Sequence, residues 1–490
     1  MHAISRRRAP PLAAILLCAA ALLGAVLVAL PARADQDDDA ERVPSNAAEI
    51  YSPIERTFQR QELLPAGAVA RLPQFGPAVP NAEGPMLLED LKERLRYDDP
   101  FFRDMRVNLY LRTGYLDREN AGTPTAPPST SQAWAGGSAL GFRSGWHDGS
   151  LQLEAAVASA QPLYAPEDEG GTLLLTQDQA EVSSVAVANA RLRALGQELT
   201  VGRQLVKTPY INPQDNRMIP NAVEGVALMR RRDEAQTFDY GFGYLWGFKA
   251  RDSSHFVSFS NELGVPEDRG VAVAGAKIVP IAGLTVGAID YAIPDVLNTA
   301  FAEADWIFPK LACGVQFRLS ANYTDQRTIG EDLMPGAPFA TSQVSGRAAA
   351  SYHDATVLAA LSSDGKGADL NGPFGSFPAY TVLDQLNFNN AGETTFVVGA
   401  AYDFSRLITD GLKFQARYGK GWNVIDPQTG DPQSRQNEFN VEAEYQPMSG
   451  PFKNLHVQLF YSGVRFPDNP PGQDNQPQVR GVITYLVPLL

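Results

Sequence analysis

From Arg103 to the terminal Leu490 the chain is written in short alternations of apolar and polar residues, about eighteen in all, joined by connections that are alternately long and short. In 105–115, Val107, Leu109 and Leu111 share one face, while Arg106, Asn108 and Arg112 share the other. In 134–146, Trp134, Leu140, Phe142 and Trp146 fall on one side and Arg143 on the opposite one, with Trp146 expected in an aromatic belt. Segments of roughly 9 to 11 residues with one apolar and one polar face suit strands that cross a bilayer with lipid on one side and a polar lumen on the other. The fold class this predicts is all-β: a transmembrane antiparallel barrel of about eighteen strands, with long external loops and short periplasmic turns.

The stretch 238–260 reads either as one long strand or, divided at Arg251-Asp252-Ser253, as two. Single-chain bacterial barrels have even strand numbers and both ends on the periplasmic side, so it is kept as one. The connections support this: Gly196, Ala282-Gly283 and Pro309-Lys310 are brief, whereas 116–133, 161–181, 206–221 and 363–392 are long.

Ahead of the barrel the pattern changes. Residues 1–34 carry Arg6, Arg7 and Arg8, an apolar run from Leu12 to Leu30, and Ala32-Arg33-Ala34, which together read as a secretory signal cleaved before Asp35. The run is long for a signal core, so an uncleaved inner-membrane anchor is the alternative. Residues 35–100 have no sustained period of two and hold Pro73, Pro77, Pro80 and Pro85, and read as a partly disordered periplasmic extension. Within it, 86–95 can form a short amphipathic helix with Leu87, Leu88, Leu91 and Leu95 on one face; a transiently structured tail is the competing reading. Residues 101–490 are the barrel.

The formal net charge is −14, and the expected signal contributes four arginines and no acid, so the exported chain is more acidic still. Nucleic acid is therefore not an expected partner. Acids concentrate in the tail, as in Asp35 to Asp39, and in loops, as in Glu167-Asp168-Glu169, whereas the strands carry arginines. Cys18 leaves with the signal and Cys313 remains alone, so no intramolecular disulfide is expected.

Applying the two-residue period along the chain assigns a set of cations to the lumen: Arg106, Arg112, Arg143, Arg191, Arg193, Lys249, Arg318, Arg347, Lys413, Arg417 and Arg480. Facing lipid near the midplane, each arginine would cost about 2 to 4 kcal/mol. Two roles fit such a ladder. The cations can bridge to wall acids such as Asp403, Glu442 and Glu444, or they can offer a carboxylate successive sites that capture and release it.

Several motifs add a family likeness. Val201-Gly202-Arg203-Gln204, Thr208-Pro209-Tyr210, Asn216-Arg217-Met218-Ile219-Pro220-Asn221, Glu224-Gly225, Gly141-Phe142-Arg143-Ser144-Gly145-Trp146, Gln161-Pro162-Leu163-Tyr164, Tyr291-Ala292-Ile293-Pro294-Asp295, Pro373-Phe374-Gly375-Ser376 and Tyr402-Asp403-Phe404-Ser405 occur in the order of the OprD family of outer-membrane porins, which residues 100–490 resemble over nearly their whole length. The resemblance implies an eighteen-stranded monomeric channel whose third external loop folds inward and whose wall carries a basic ladder. It makes Tyr210, Asn212, Asp215 and Arg217 candidates for the constriction, with Asp364 and Asp369 of the seventh loop as an acidic wall opposite. It implies passive uptake of small hydrophilic anionic or zwitterionic solutes such as organic acids, amino acids or short peptides. The long tail and the terminal Leu490 depart from the family pattern.

A barrel hydrolase with a site at the external rim is the alternative, and His255, in Ser253-Ser254-His255, is the histidine placed there. Neighbours on one strand point to opposite faces, which separates Ser254 from His255 and disfavours a nucleophile–base pair. No histidine or cysteine cluster has metal-ligand spacing, and no cofactor is expected. The partners expected are outer-membrane lipid and the solute, with the monomer as the expected unit and a trimer as the alternative.

Overall fold

The computed structural model describes residues 86–95, 97–122, 126–230, 238–447, 449–450 and 452–490; the proposed signal and most of the extension lie outside them. Eighteen strands follow one another: β1 (Arg106–Asn120), β2 (Ser129–Arg143), β3 (Leu151–Tyr164), β4 (Val182–Ala194), β5 (Gln197–Gln204), β6 (Ala222–Arg230), β7 (Phe238–Lys249), β8 (Val271–Ile281) and β9 (Leu284–Ile293). The second half comprises β10 (Leu297–Ile307), β11 (Gln316–Thr328), β12 (Ala340–Tyr352), β13 (Ala355–Asp364), β14 (Thr394–Asp403), β15 (Leu412–Trp422), β16 (Gln436–Tyr445), β17 (Leu455–Arg465) and β18 (Asn475–Pro488). Each pairs antiparallel with its neighbours in sequence, and β18 returns to β1, with Asn108 opposite Pro488 and Arg118 opposite Gln478. The sheet is thus closed and has no edge, so strand–strand bonds can satisfy the backbone without water. Among the described residues no helix is long and apolar enough to cross a membrane; the strands do so.

Strand polarity is inverted relative to a soluble sandwich. In β12 the buried positions are Thr341, Gln343, Ser345, Arg347, Ala349 and Ser351, while Val344 and Tyr352 are exposed. The same alternation leaves Leu361, Phe396, Val398, Tyr418 and Phe439 as an outer apolar surface. An apolar exterior and a polar interior are what lipid outside and a hydrated lumen inside select.

The strand count matches the period-two pattern, but some bounds move. β1 and β2 extend to Asn120 and from Ser129, which shortens the first connection to 121–128. The segment 238–260 is neither one strand nor two: β7 ends at Lys249, and the chain turns into a loop containing α3 (Phe259–Glu262). The cause is packing, because Phe248 and Phe259 are fully buried with ring centroids 5.7 Å apart, and both contact Phe374 of a distant loop. Alternation in that stretch therefore came from residues that pack inside the lumen. The connections do not alternate throughout, since 294–296 is short at the rim that otherwise carries long loops. At the opposite rim Leu195 and Gly196 both have positive φ, 52° and 73°, the twist a two-residue hairpin turn needs.

The chain before β1 is attached to the barrel. Helix α1 (Glu89–Leu95) is preceded by Leu87 and Leu88, whose N–H groups donate to the carbonyls of Pro488 and Leu489 at 3.1 and 2.8 Å. Lys92 Nζ donates to the carbonyls of Arg103 and Met105 at 2.8 and 3.0 Å. A second short helix, α2 (Pro100–Arg103), has Asp99 as its N-cap. Polar bonds rather than the leucine face make this attachment, and Leu87, Leu88 and Leu91 stay exposed. These bonds place residues 87 and 88 beside the end of the last strand.

Replacing Val398, at the middle of β14 and on its outer face, by arginine should cost about 2 to 4 kcal/mol of barrel stability. The measurement is the urea midpoint of the chain refolded into vesicles, and an unchanged midpoint would contradict a lipid-facing Val398.

Candidate functional site

A ring of eighteen strands encloses more space than its own side chains fill, and here several long-rim loops turn inward to occupy it. The third loop, 205–221, is anchored by Tyr210. Its ring is buried against Tyr291, Phe301 and Phe377, its hydroxyl donates to Thr324 Oγ1 at 2.9 Å, and its N–H donates to the Tyr291 hydroxyl at 3.3 Å. The second loop, 165–181, sends Leu174 and Leu175 against Met218 and Ile219 of the third. The seventh loop, 365–393, packs Tyr380, Leu383 and Phe388 on Leu358, Ala360 and Val397 of the wall. Apolar contacts therefore seat the loops, and polar ones join them.

Asn212 is the principal joint between the third and seventh loops. Its N–H donates to the Phe374 carbonyl at 3.1 Å, its Nδ2 to the Ser376 carbonyl at 3.2 Å, and its Oδ1 accepts the Ser376 N–H at 3.1 Å. Gly375 sits between these contacts because any Cβ there would lie about 2.5 Å from the Asn212 amide. Asp215 pairs with Arg112 Nη1 at 2.5 Å, and the same guanidinium donates to the Arg217 carbonyl at 2.8 Å. Arg217 is buried, with Nε donating to the Thr172 carbonyl of the second loop at 3.0 Å. The four candidate residues thus do sit in an inward-folded loop. Tyr210 and Asn212 hold it in place, while Asp215 and Arg217 face charged groups.

The acidic wall expected from Asp364 and Asp369 is not where the sequence reading put it. Asp364 ends β13 and accepts Gln343 Nε2 at 2.8 Å, and Asp369 Oδ1 accepts the Ala391 N–H at 2.6 Å. Asp364 is thus bonded to the wall strand β12 and Asp369 to the base of its own loop. The acid that faces the cations is Asp384, which pairs with Arg480 at 2.7 Å and accepts Gln478 Nε2 at 2.6 Å and Ser462 Oγ at 3.2 Å. Sequence reasoning missed it because an acid in an apolar loop shows no period; its flanking leucines, Leu383 and Leu386, were the available clue.

Most of the predicted ladder does face inward, and much of it is paired with wall acids. Arg191 and Arg193 share Glu198, Arg318 pairs with Asp305 at 2.7 Å, and Arg347 donates to Ser320 Oγ at 2.9 Å while lying 4.3 Å from the centre of the Tyr380 ring. Arg106 lies opposite Arg143 between β1 and β2, Lys413 lies opposite both Asp403 and Glu444, and Arg417 lies opposite Asn440. Lys249 departs from the expectation: the fourth loop, 250–270, buries it completely, and its Nζ donates to the Ala250 carbonyl at 2.9 Å. Trp146 lies past the end of β2 and stacks 3.5 Å beneath Arg193, so it belongs to this cationic face rather than to an outer aromatic belt.

The strongest concentration of charge is where the loops meet. Arg480, Arg217 and Arg118 act on Asp384, Arg112 pairs with Asp215, and Arg251 approaches Arg217 from the fourth loop. Burial, together with the guanidiniums of Arg480, Arg251 and Arg118, pushes Arg217 well below its ordinary value, with Asp384 opposing. Burial raises Asp384, but Arg480 and Arg217 outweigh it and hold the carboxyl below the usual range. Arg118 was absent from the predicted ladder because it lies beyond the assumed end of the first strand, and Arg251, although it has the parity of Lys249, was not included in it. Arg118 donates to the Gly171 carbonyl at 3.2 Å and Arg251 to Asn216 Oδ1 at 2.5 Å, so each helps fasten a loop.

Around His255 the chain is a loop, so strand alternation does not govern it. Ser254 Oγ accepts the Ser183 N–H at 3.1 Å, and Ser253 Oγ contacts the His255 backbone rather than its ring. Near the short-turn rim Asp99, His147 and Asp148 approach one another at the surface, where Asp99 is engaged in capping α2.

A closed barrel with an apolar exterior and a lumen narrowed by folded-in loops is the architecture of an outer-membrane channel that restricts its solutes. Residues 99–489 match the family described as outer membrane porin, OprD family, and the chain belongs to it: it is an integral outer-membrane porin for the uptake of small solutes. Among solved structures it resembles OccK9 (OpdG) of Pseudomonas aeruginosa, at 22% identity and a TM-score of 0.70 over 80% of this chain and 100% of that one. A BenF-like porin from Pseudomonas fluorescens Pf-5 matches at 20% identity and a TM-score of 0.71, over 79% and 100% of the two chains. OpdK of Pseudomonas aeruginosa, solved with vanillate, matches at 22% identity and a TM-score of 0.68, over 79% and 99%. No curated protein matches the chain in a sequence search.

Gly375→Ala should force the third and seventh loops apart at the Asn212 joint. The expected result in planar bilayers is a larger and noisier single-channel current; an unaltered current would show that this joint does not set the width of the pore.

Proposed function

We propose that this porin admits small solutes bearing a carboxylate, and that the guanidinium cluster of Arg112, Arg118, Arg217, Arg251 and Arg480 is where they are selected. The supporting observation is the gathering of these five side chains where the second, third, fourth and seventh loops converge on the lumen. The cations held by Glu198 and Asp305 lie against the strands and serve chiefly to build the wall, whereas the cluster lies where the loops converge and is taken as the selective element. A carboxylate entering from the long-loop rim meets forked donors suited to its two oxygens. The acids within the cluster keep each site weak enough to release it.

Asp215 and Asp384 also give the cluster a minority of negative charge, so an amino acid or short peptide can enter with its carboxylate toward the arginines and its ammonium toward these acids. The vanillate in the OpdK structure is itself a carboxylate, which agrees with the simpler of these solutes. Transport is passive: no chemical step or energy coupling is required, and the gradient drives the solute. The long loops face outward and both barrel termini face the periplasm in this proposal, and the working unit is the monomer.

The test is single-channel recording in a salt gradient, followed by titration with acetate, benzoate, succinate and glycine. Anion preference in the reversal potential and interruption of current by a carboxylate are expected, and a cation-preferring pore indifferent to all four would sink the proposal. Replacing Arg118 and Arg217 together by glutamine should move the reversal potential toward cation preference. The same change should weaken carboxylate interruption on the order of tenfold for each charge-assisted hydrogen bond lost.

A further inference from the structure

The tip of the seventh loop is held to the wall by an unusual contact. Glu438, on the inner face of β16 and fully buried, accepts the backbone N–H groups of three successive loop residues: Asp384 at 2.9 Å, Gln385 at 3.1 and 3.2 Å to the two oxygens, and Leu386 at 2.7 Å. Asn440 Nδ2 adds a long fourth contact at 3.4 Å. Consecutive peptide N–H groups converging on one point form a concave anion site, the kind of backbone nest that captures carboxylates. Here the nest is closed by a carboxylate of the protein's own wall.

Its surroundings extend the same chemistry. The Asp384 side chain turns away from the nest to Arg480, whose guanidinium lies 3.9 Å above the Phe460 ring, and Arg217 approaches from the third loop. The nest is thus contiguous with the guanidinium cluster. Glu438 lies close enough to a second carboxylate, Asp384, for the two to act on each other, and the backbone donors oppose that repulsion. Arg417, opposite Asn440 on β15, is near enough to act electrostatically on Glu438, so a displaced carboxylate has a cation toward which to turn.

We propose that the 384–386 nest is a binding site for the solute's carboxylate, and that Glu438 is its resident occupant, which the solute must displace. This rests on the carboxylate reading given above and adds a specific site to it. The sequence of events follows from the contacts. A carboxylate passed along the guanidinium cluster takes the three N–H groups, Glu438 turns toward Arg417, and the loop tip loses its tether to β16 while Asp384 keeps its bond to Arg480. Glu438 thereby sets affinity by competition and couples solute binding to the position of the seventh loop. An ammonium cannot replace it, because the nest offers only donors, and a neutral oxygen competes less well than a carboxylate because its hydrogen bonds are not charge-assisted.

The experiment compares wild type, Glu438→Ala and Glu438→Gln as refolded full chains in planar bilayers, with benzoate and acetate as probes and heat-modifiable gel migration as the check on folding. Removing the resident carboxylate should let either probe interrupt the current at about one-tenth of the wild-type concentration, with longer interruptions. Glutamine, which brings its own N–H groups against the nest, should act in the same direction and serves if the alanine variant does not fold. If wild type is interrupted by carboxylates and neither folded variant responds at lower concentration, Glu438 is a tether only and the inference fails while the carboxylate reading stands. If no form is interrupted by either probe, both fail together.

Discussion

Everything in this molecule depends on the closure of β18 onto β1. In hydrocarbon an unpaired peptide group costs several kcal/mol, so a sheet that crosses the bilayer must leave no edge. The register from Asn108 opposite Pro488 to Arg118 opposite Gln478 completes the ring, and Val107 and Leu490 exchange further bonds at its base. The residues before β1 extend the same seam, as Leu87 and Leu88 bond to the carbonyls that end the last strand. Closure also fixes which face of every strand meets lipid, and therefore which side chains enter the lumen.

Closing so many strands creates an interior too wide to be selective, and the loops supply what the wall lacks. They are seated by apolar packing, as with Phe248, Phe259 and Phe374, or Leu174, Leu175 and Met218, in the manner of small cores inside a polar tube. Their polar joints then meet around charged groups. Inward cations that would otherwise repel one another are spaced by acids such as Glu198 and Asp305 in the wall and by Asp215 and Asp384 in the loops. Charge and loop placement consequently share the same residues: Arg217 both carries a guanidinium and ties the third loop to the second.

The barrel was legible from the chain because lipid imposes a period of two on each strand, and because most, though not all, of the long connections fall at one rim. The count of strands and the inward assignment of Arg191, Arg318, Arg347 and Arg480 follow from that period, since an arginine on the other face would be too costly. The period was least reliable where apolar residues served a loop core, so 250–260 was taken for strand, and Lys249 was taken for a lumen-lining cation although the fourth loop covers it.

The local sequence therefore determined the class of the molecule, its strands and the sign of its inner face, because each of those is set by the solvent on either side of a single strand. Which cations meet which acids was decided only in three dimensions. Asp384 reaches Arg480, and Asn212 reaches Ser376, across long separations in sequence. Those distances are bridged by loops whose conformation depends on packing inside a ring that exists only after closure, and no periodic constraint along the chain encodes it.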